Sequence, residues 1–287
     1  MAGVRDIKNR IKSVNSTKQI TRAMNLVATA KLKRARARVE GVRPYFSVLQ
    51  AVVKDIMEAS EGVQNEFFNA REVKNTLYVV ITADKGLCGG YNTNAIKKAL
   101  SVEGGGAAVY ITIGTKAKEY FTKRGYNVAE SYVHISESAN LKDAQDISQR
   151  ITEMYKTGQV DEVYIIYNKF VSTIQFDPTE VKLLPLKVED IVNGEGDKKA
   201  HRTQPIYEPS PEKVLEVLIP KYITGTIYGA LLEASTSEES SRMTAMSSAT
   251  DNATEMINDL TLSFNRARQA SITREISEIV GGAEALT

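Results

Sequence analysis

Thiols, imidazoles and long apolar runs are scarce in this sequence, and each scarcity removes a class of protein. There is one cysteine, Cys88, so no internal disulfide can form. The two histidines, His134 and His201, stand far from it in the chain, which argues against a local thiol–imidazole pair. No apolar leader opens the sequence and no run of about 18 apolar residues occurs, so neither export nor a membrane-spanning helix is expected. Glycine and proline, 18 and 7 in all, are both missing from 230 to 280, so nothing there breaks a helix.

What is present is apolar material, 42% of 287 residues, enough for one large or two ordinary domains with a substantial core. A net charge of +2 conceals an asymmetry: residues 1 to 58 hold 13 Lys/Arg against 4 Asp/Glu, and 235 to 287 hold 4 against 8. A basic arm fits nucleic acid, an anionic membrane or an acidic protein surface, and charge alone leaves all three open.

Residues 3 to 60 read as helix. Val4, Ile7, Ile11 and Val14 step by three and four, and Ile20, Met24 and Val27 resume the pattern after a phase slip. Pro44 lacks a backbone donor and crowds the preceding turn, so a kink or irregular turn is expected near Arg43. The middle differs in kind. Residues 76–83, 107–114 and 162–170 are short, β-branched and aromatic, as buried strands are, and 171–185 adds another extended segment. Helical stretches at 93–100, 115–124 and 141–156 alternate with them, which predicts βαβ units, right-handed crossovers and a mainly parallel sheet. Asn193 to Gln204 has little to bury and reads as a mobile loop.

Helix returns after Ser210, with Pro211 at its first position. Met243, Met246, Thr250, Ala253, Ile257, Leu260, Phe264 and Ala267 then step three, four, three, four: a heptad seam. The fold class is α/β, an antiparallel coiled coil of long N- and C-terminal helices plus a Rossmann-like middle domain. The expected boundaries are 1–60, 75–192, a linker loop at 193–209, and 210–287.

A helix from 211 to 281 is on the order of 100 Å long, about twice the width of a compact chain of this size. It must project, and its seam needs a partner, which the basic helix at the other chain end supplies by running antiparallel. The C-terminal helix is the longer by about 10 to 20 residues, which leaves a tip carrying Ile272, Ile276, Ile279 and Val280 uncovered. Below it, 234 to 254 is mostly small and polar, giving a narrow rod. Such a rod suits insertion into a partner, or end-to-end dimerisation.

Four stretches carry a resemblance: "RIKSVNSTKQITRAMNLVATAKL" (10–32), "TADKGLCGGYN" (82–92), "YNKF" (167–170) and "FNRARQASITREISEIVGGA" (264–283). Along essentially its whole length the chain resembles the gamma-subunit family of bacterial F-type ATP synthase, the central rotor shaft. The resemblance implies a coiled coil inside a ring of three alpha and three beta subunits, and a globular foot on the membrane ring of c subunits, with epsilon and delta in the same complex. Proton flow would turn the foot and the shaft would force ATP release, no nucleotide or other cofactor being bound by the chain itself. Localisation would be peripheral, at the cytoplasmic face of the cell membrane, with membrane association through the c ring alone.

Site residues follow from the same resemblance. Ile272 to Val280 would form an apolar bearing. Arg268, Gln269, Thr273 and Glu275 match positions that hydrogen-bond the alpha and beta subunits. Lys31, Lys33, Arg34 and Arg36 would face acidic segments of beta, with Met24 and Arg242 close to that region. Leu87, Cys88, Tyr207 and Glu208 would meet the c ring and epsilon, although Pro205 stands where some relatives carry an aromatic residue. The cysteine-bearing insertion of plastid relatives is absent, so redox switching is not implied.

The segment "TADKGLCGGYN" crowds an acid, a lysine, the thiol and glycines into one strand-to-helix turn. It has neither the GxGxxG nor the GxxxxGK[ST] spacing that sets amides around phosphate, and it is expected to be a tight turn without catalysis or metal binding. Two rivals remain on the residues alone. A nucleic-acid-binding protein with a basic arm is one, though the arm has few aromatics and no recognition motif. An enzyme with a Rossmann-like domain and a helical stalk would share the sheet.

Overall fold

The computed structural model describes residues 4–59, 66–68, 70–104, 106–187, 191, 207–208 and 210–284. The loop expected at 193–204, His201 and Pro205 lie outside them. The elements are α1 (Val4–Ala59), β1 (Asn75–Ile81), α2 (Tyr91–Ser101), β2 (Ala107–Ile113), α3 (Thr115–Lys123), β3 (Val128–Tyr132), α4 (Leu141–Lys156), β4 (Glu162–Ser172), β5 (Gln175–Leu184) and α5 (Pro211–Glu284). Packing groups them into two units, Met1–Thr29 with Met243–Thr287, and Ala30–Arg242.

The first unit is an antiparallel helix pair. All eight α5 seam residues from Met243 to Ala267 are buried or half-buried. On α1 the seam is Val4, Ile7, Ile11, Val14, Lys18, Thr21, Asn25 and Ala28, an unbroken three-four alternation. The phase slip expected after Val14 is therefore absent, and Ile20 and Val27 stand 60% and 56% exposed. Hydropathy misleads here because the seam accepts polar residues that find partners across it. Thr21 Oγ1 lies 2.8 Å from Thr250 Oγ1, and Asn25 Nδ2 donates to the Met243 carbonyl at 2.8 Å. Shifting one helix along the other would break both cross-helix bonds, so they set a register that apolar contacts alone would not.

The second unit is a five-stranded sheet of order β3-β2-β1-β4-β5. The β3, β2, β1 and β4 strands run parallel, and β5 pairs antiparallel with β4 at one edge. Both faces of β1 are buried, as parallel sheets require. Leu77, Val79 and Ile81 face a core built with Leu49, Val53 and Ile56 of α1, Ile147 and Ile151 of α4, and Leu215, Ile219, Ile223 and Ile227 of α5. Tyr78 and Val80 face Ile96 and Ala99 of α2 and Ala117 and Phe121 of α3.

Two local expectations are corrected. β3 was not foreseen: "VAESY" is a five-residue edge strand without an apolar run. Of the kink or irregular turn expected near Arg43, the irregular turn is not there, because α1 stays helical through Pro44. Burial of Leu49, Val53 and Ile56 on the next turns holds the segment helical against the lost bond. Close packing adds to this: a Cβ on Gly225 of α5 would meet the Phe46 ring at 2.7 Å, so only glycine lets the two helices approach so nearly.

Candidate functional site

In an open α/β sheet the place for a ligand is the crevice beyond the carboxyl ends of the strands where the chain order reverses, here between β1 and β4. That place is filled by α5. Tyr91 Oη donates to the Ala234 carbonyl at 3.0 Å, Ser241 Oγ to the Cys88 carbonyl at 2.6 Å and Ser240 Oγ to the Thr173 carbonyl at 2.6 Å. Asn168 Nδ2 closes the same edge by donating to the Tyr91 carbonyl at 2.9 Å. From Ala234 to Arg242 every residue except the half-buried Ser235 is buried. The small polar side chains expected from 234 to give a narrow rod instead fit a helix into a slot as far as Arg242.

The turn after β1 is a brace. Asp84 Oδ1 accepts from Thr115 N, Thr115 Oγ1 and His134 N at 3.0, 2.8 and 2.9 Å, and Oδ2 accepts from Ser136 Oγ and N at 2.9 and 3.3 Å. Burial works to raise its pKa, but the His134, Ser136 and Thr115 donors outweigh that and hold the carboxyl below its usual value. Gly114, the N-cap of α3, has no side chain to cap with, so Asp84 caps that helix from another loop. Cys88 is 1% exposed, accepts from Asn92 Nδ2 at 3.2 Å, and burial pushes its thiol pKa up. A nucleophilic thiol needs the opposite shift. Cys88, expected with Leu87 as an outward contact, is instead buried, whereas Leu87, at a φ of 62° and 65% exposed, faces out.

Beside this turn lies a cluster that sequence reading missed. Arg242 bridges Glu238 at 2.5 Å and Glu239 at 2.9 Å. Lys31 of α1 reaches Glu137 at 2.6 Å and Glu239 at 3.6 Å, and Lys85 reaches Glu137 at 2.9 Å. Burial pushes the Glu238 carboxyl up to about 7 against the pull of Arg242. The Glu137 carboxyl moves the other way, drawn down by the Lys31 hydrogen bond. Carboxylate oxygens of Glu137, Glu238 and Glu239 approach within 4.8 Å of one another, a spacing a divalent cation could use, but Lys31 and Arg242 already bring their own positive charge there. Arg242, expected at a partner surface, is buried with its charge committed to its own chain, and Lys31 is committed in part.

The remaining candidates divide by exposure. Lys33, Arg34 and Arg36 are exposed; Arg36 pairs with Glu40 at 3.7 Å and lies 5.8 Å from the Phe170 ring centre. Met24 is half-buried beside the seam. Arg268, Gln269, Thr273 and Glu275 are exposed, with Thr273 Oγ1 back-bonded to the Gln269 carbonyl at 3.0 Å and Glu275 taking a bond from Ser271 Oγ at 3.3 Å. Ile272, Ile276, Ile279 and Val280 are 44% to 72% exposed, and α5 runs helical to Glu284. Tyr207 packs half-buried on the large core, whereas Glu208 is exposed.

A family model described as ATP synthase matches residues 3–286. The ATP synthase gamma chain of Alkaliphilus metalliredigens is 52% identical over 287 residues, covering 99% of each chain. The chain belongs to the ATP synthase gamma chain family. The sodium ion specific gamma chain of Acetobacterium woodii is 47% identical over 99% of this chain. Among solved structures, a chain of the Tetrahymena thermophila mitochondrial ATP synthase central stalk and c ring matches 80% of this chain and 99% of its own, at 29% identity and a TM-score of 0.61. A chain of the Euglena gracilis mitochondrial enzyme, from its OSCP/F1/c-ring structure, matches 99% of this chain and 94% of its own with a TM-score of 0.73; at 21% identity it speaks for the fold alone. Among the described residues no helix is long and apolar enough to cross a membrane.

Proposed function

We propose that this chain is the central stalk of a rotary ATP synthase, a non-catalytic subunit that couples ion-driven rotation of a c ring to conformational change at catalytic beta subunits. The resemblance points to the proton as the ion. Full-length membership of the gamma chain family carries the reading. Two features of the geometry support it: the sheet crevice where a nucleotide would bind is occupied by α5, and α5 runs past its seam as an exposed apolar face. In this role Ile272, Ile276, Ile279 and Val280 turn inside the apolar collar of an alpha–beta ring, where non-directional contact permits rotation. Arg268, Gln269, Thr273 and Glu275 offer hydrogen bonds that favour particular angles. Lys33, Arg34 and Arg36 act on acidic beta segments through charge, over a wider angular range. Leu87 and Glu208 are the exposed candidates for the c ring and epsilon, and the subunit sits peripherally at the cytoplasmic face of the membrane, in one complex with delta.

The test is reconstitution with separately folded alpha and beta subunits. A complex of three alpha, three beta and one copy of this chain, active in ATP hydrolysis, is expected. Failure of folded partners to take up the chain overturns the reading. Replacing Ile276 and Ile279 together by Asp puts two charges on the apolar face and is expected to lower assembly yield about tenfold or more, since each buried aliphatic side chain is worth about 1.5–3 kcal/mol. Undiminished assembly would remove the bearing role.

A further inference from the structure

We propose that the ion network of Lys31, Lys85, Glu137, Glu238, Glu239 and Arg242 is a torsional clamp that locks α1 and α5 to the strand-edge loops of the sheet and carries torque between them. This deepens the reading of the chain as a rotating shaft and rests on it. Torque passing between a sheet and the helices packed on it must cross their contacts. Most of those contacts are Val, Ile and Leu, which resist separation but are non-directional and allow a helix to slip about its axis. Charge-assisted hydrogen bonds are short and oriented, and they resist that slip.

The network is the place where four separate segments meet: Lys31 and Lys85 donate such bonds to Glu137, and α5 joins through the Lys31–Glu239 ion pair and the Ser241 bond to the Cys88 carbonyl. Lys31 comes from α1, Glu238, Glu239 and Arg242 from α5, Lys85 from the turn after β1, and Glu137 from the segment between β3 and α4. The links run from Lys85 to Glu137 at 2.9 Å, Glu137 to Lys31 at 2.6 Å, Lys31 to Glu239 at 3.6 Å, Glu239 to Arg242 at 2.9 Å and Arg242 to Glu238 at 2.5 Å. Three cations face three carboxylates. The two loops are also braced to each other, since Asp84 holds Ser136 and His134, and Ser241 of α5 holds the Cys88 carbonyl. The clamp therefore grips a fixed frame.

Its position in the chain fits the task. Ala30 and Arg242 are where α1 and α5 enter this unit, and Lys31 and the Glu238–Arg242 segment are the first residues inside it. Buried ion pairs add little stability over an apolar packing of the same volume. Retaining Glu238, Glu239 and Arg242 in a buried slot is better accounted for by orientation than by adhesion.

The experiment uses the assembled complex with the alpha–beta ring fixed to a surface and a bead on the sheet-bearing end of this chain. Angular variance of the bead is read with the ring stalled, alongside unloaded ATP hydrolysis and ATP-driven ion uptake into vesicles. Glu239→Gln keeps the size but removes the charge that faces Lys31 and Arg242. It is expected to raise the angular variance about twofold and to lower ion uptake per ATP hydrolysed, with unloaded hydrolysis preserved, because the ion pair that joins α5 to α1 is lost. Glu137→Gln, at a half-buried position, should do the same and stands in if Glu239→Gln fails to assemble. Lys116→Met, which breaks a surface pair with Glu119, is the control and should leave the variance unchanged. A lowered melting temperature with wild-type variance in both Gln variants overturns the clamp. A wild-type complex whose bead does not rotate overturns the shaft reading itself.

Discussion

Replacing Asp84 by Asn tests whether the turn after β1 is a brace. The carboxylate takes five hydrogen bonds, three on Oδ1 from Thr115 and His134 and two on Oδ2 from Ser136. An Asn side chain keeps one accepting oxygen and turns an NH2 toward the donors on the other side. The smallest loss is thus the Ser136 pair, together with the charge at the first turn of α3. At about 1 kcal/mol for each bond net, with a few tenths to 1 kcal/mol for charge at a helix N-terminus, the cost is about 2–4 kcal/mol. The upper end is discounted because Asp84 is only half-buried.

The chain has no tryptophan, so urea unfolding of the isolated chain is followed by far-UV circular dichroism. The pH dependence gives a second readout. The folded carboxyl titrates below its unfolded value, so its contribution is present above the unfolded pKa and is lost as pH falls through the folded one. Wild type and Asp84→Asn should differ at pH 7 and converge in acid. Equal unfolding midpoints at pH 7 would refute the brace. Normal stability with lost ATP turnover in the assembled complex would return the turn to chemistry.

Two further outcomes are expected. Gly114 has a φ of 93°, and a Cβ there would meet the Thr82 carbonyl oxygen at 2.2 Å, so Gly114→Ala must move backbone and should cost about 3 kcal/mol or more, read as a fall in melting temperature. Glu238 titrates in the folded chain at about 7 against an ordinary 4.5, so the folded state holds the proton more tightly and stability falls as pH rises from 4.5 through 7. The shift corresponds to about 3 kcal/mol, and Glu238→Gln should flatten that part of the stability profile measured by urea unfolding.

Legibility in the sequence followed the range of the interaction. The α5 seam was readable because its steps are faultless and local. On α1 the same reading drifted to Ile20 and Val27, because Lys18, Thr21 and Asn25 occupy seam positions and two of them bond residues of α5. β3 was missed because five residues with Glu130 and Ser131 among them carry no strand signature, and its place is set by pairing with β2. Of the ion network the sequence shows only the Glu238, Glu239, Arg242 spacing of three and four along one helix. Lys31, Lys85 and Glu137 join it from positions 52 or more residues from one another and from α5, which only the fold brings together.

The same distinction separates this sheet from the nucleotide-binding sheets it resembles in topology. Strand order and a glycine-bearing first turn are shared features, and neither decides function. What decides it is occupancy of the crevice between β1 and β4. There Tyr91, Ser240 and Ser241 spend their hydroxyls on backbone carbonyls, and Cys88 and Asn92 satisfy one another. A ligand would have to expel α5 from 234 to 242, which would break the bonds of Tyr91, Ser240 and Ser241 and part Glu239 from Lys31. No phosphate contact available to the turn's glycines offsets that loss. The slot that would have held a nucleotide holds the shaft, and a substitution that opened it would loosen the grip on α5 before it created a binding site.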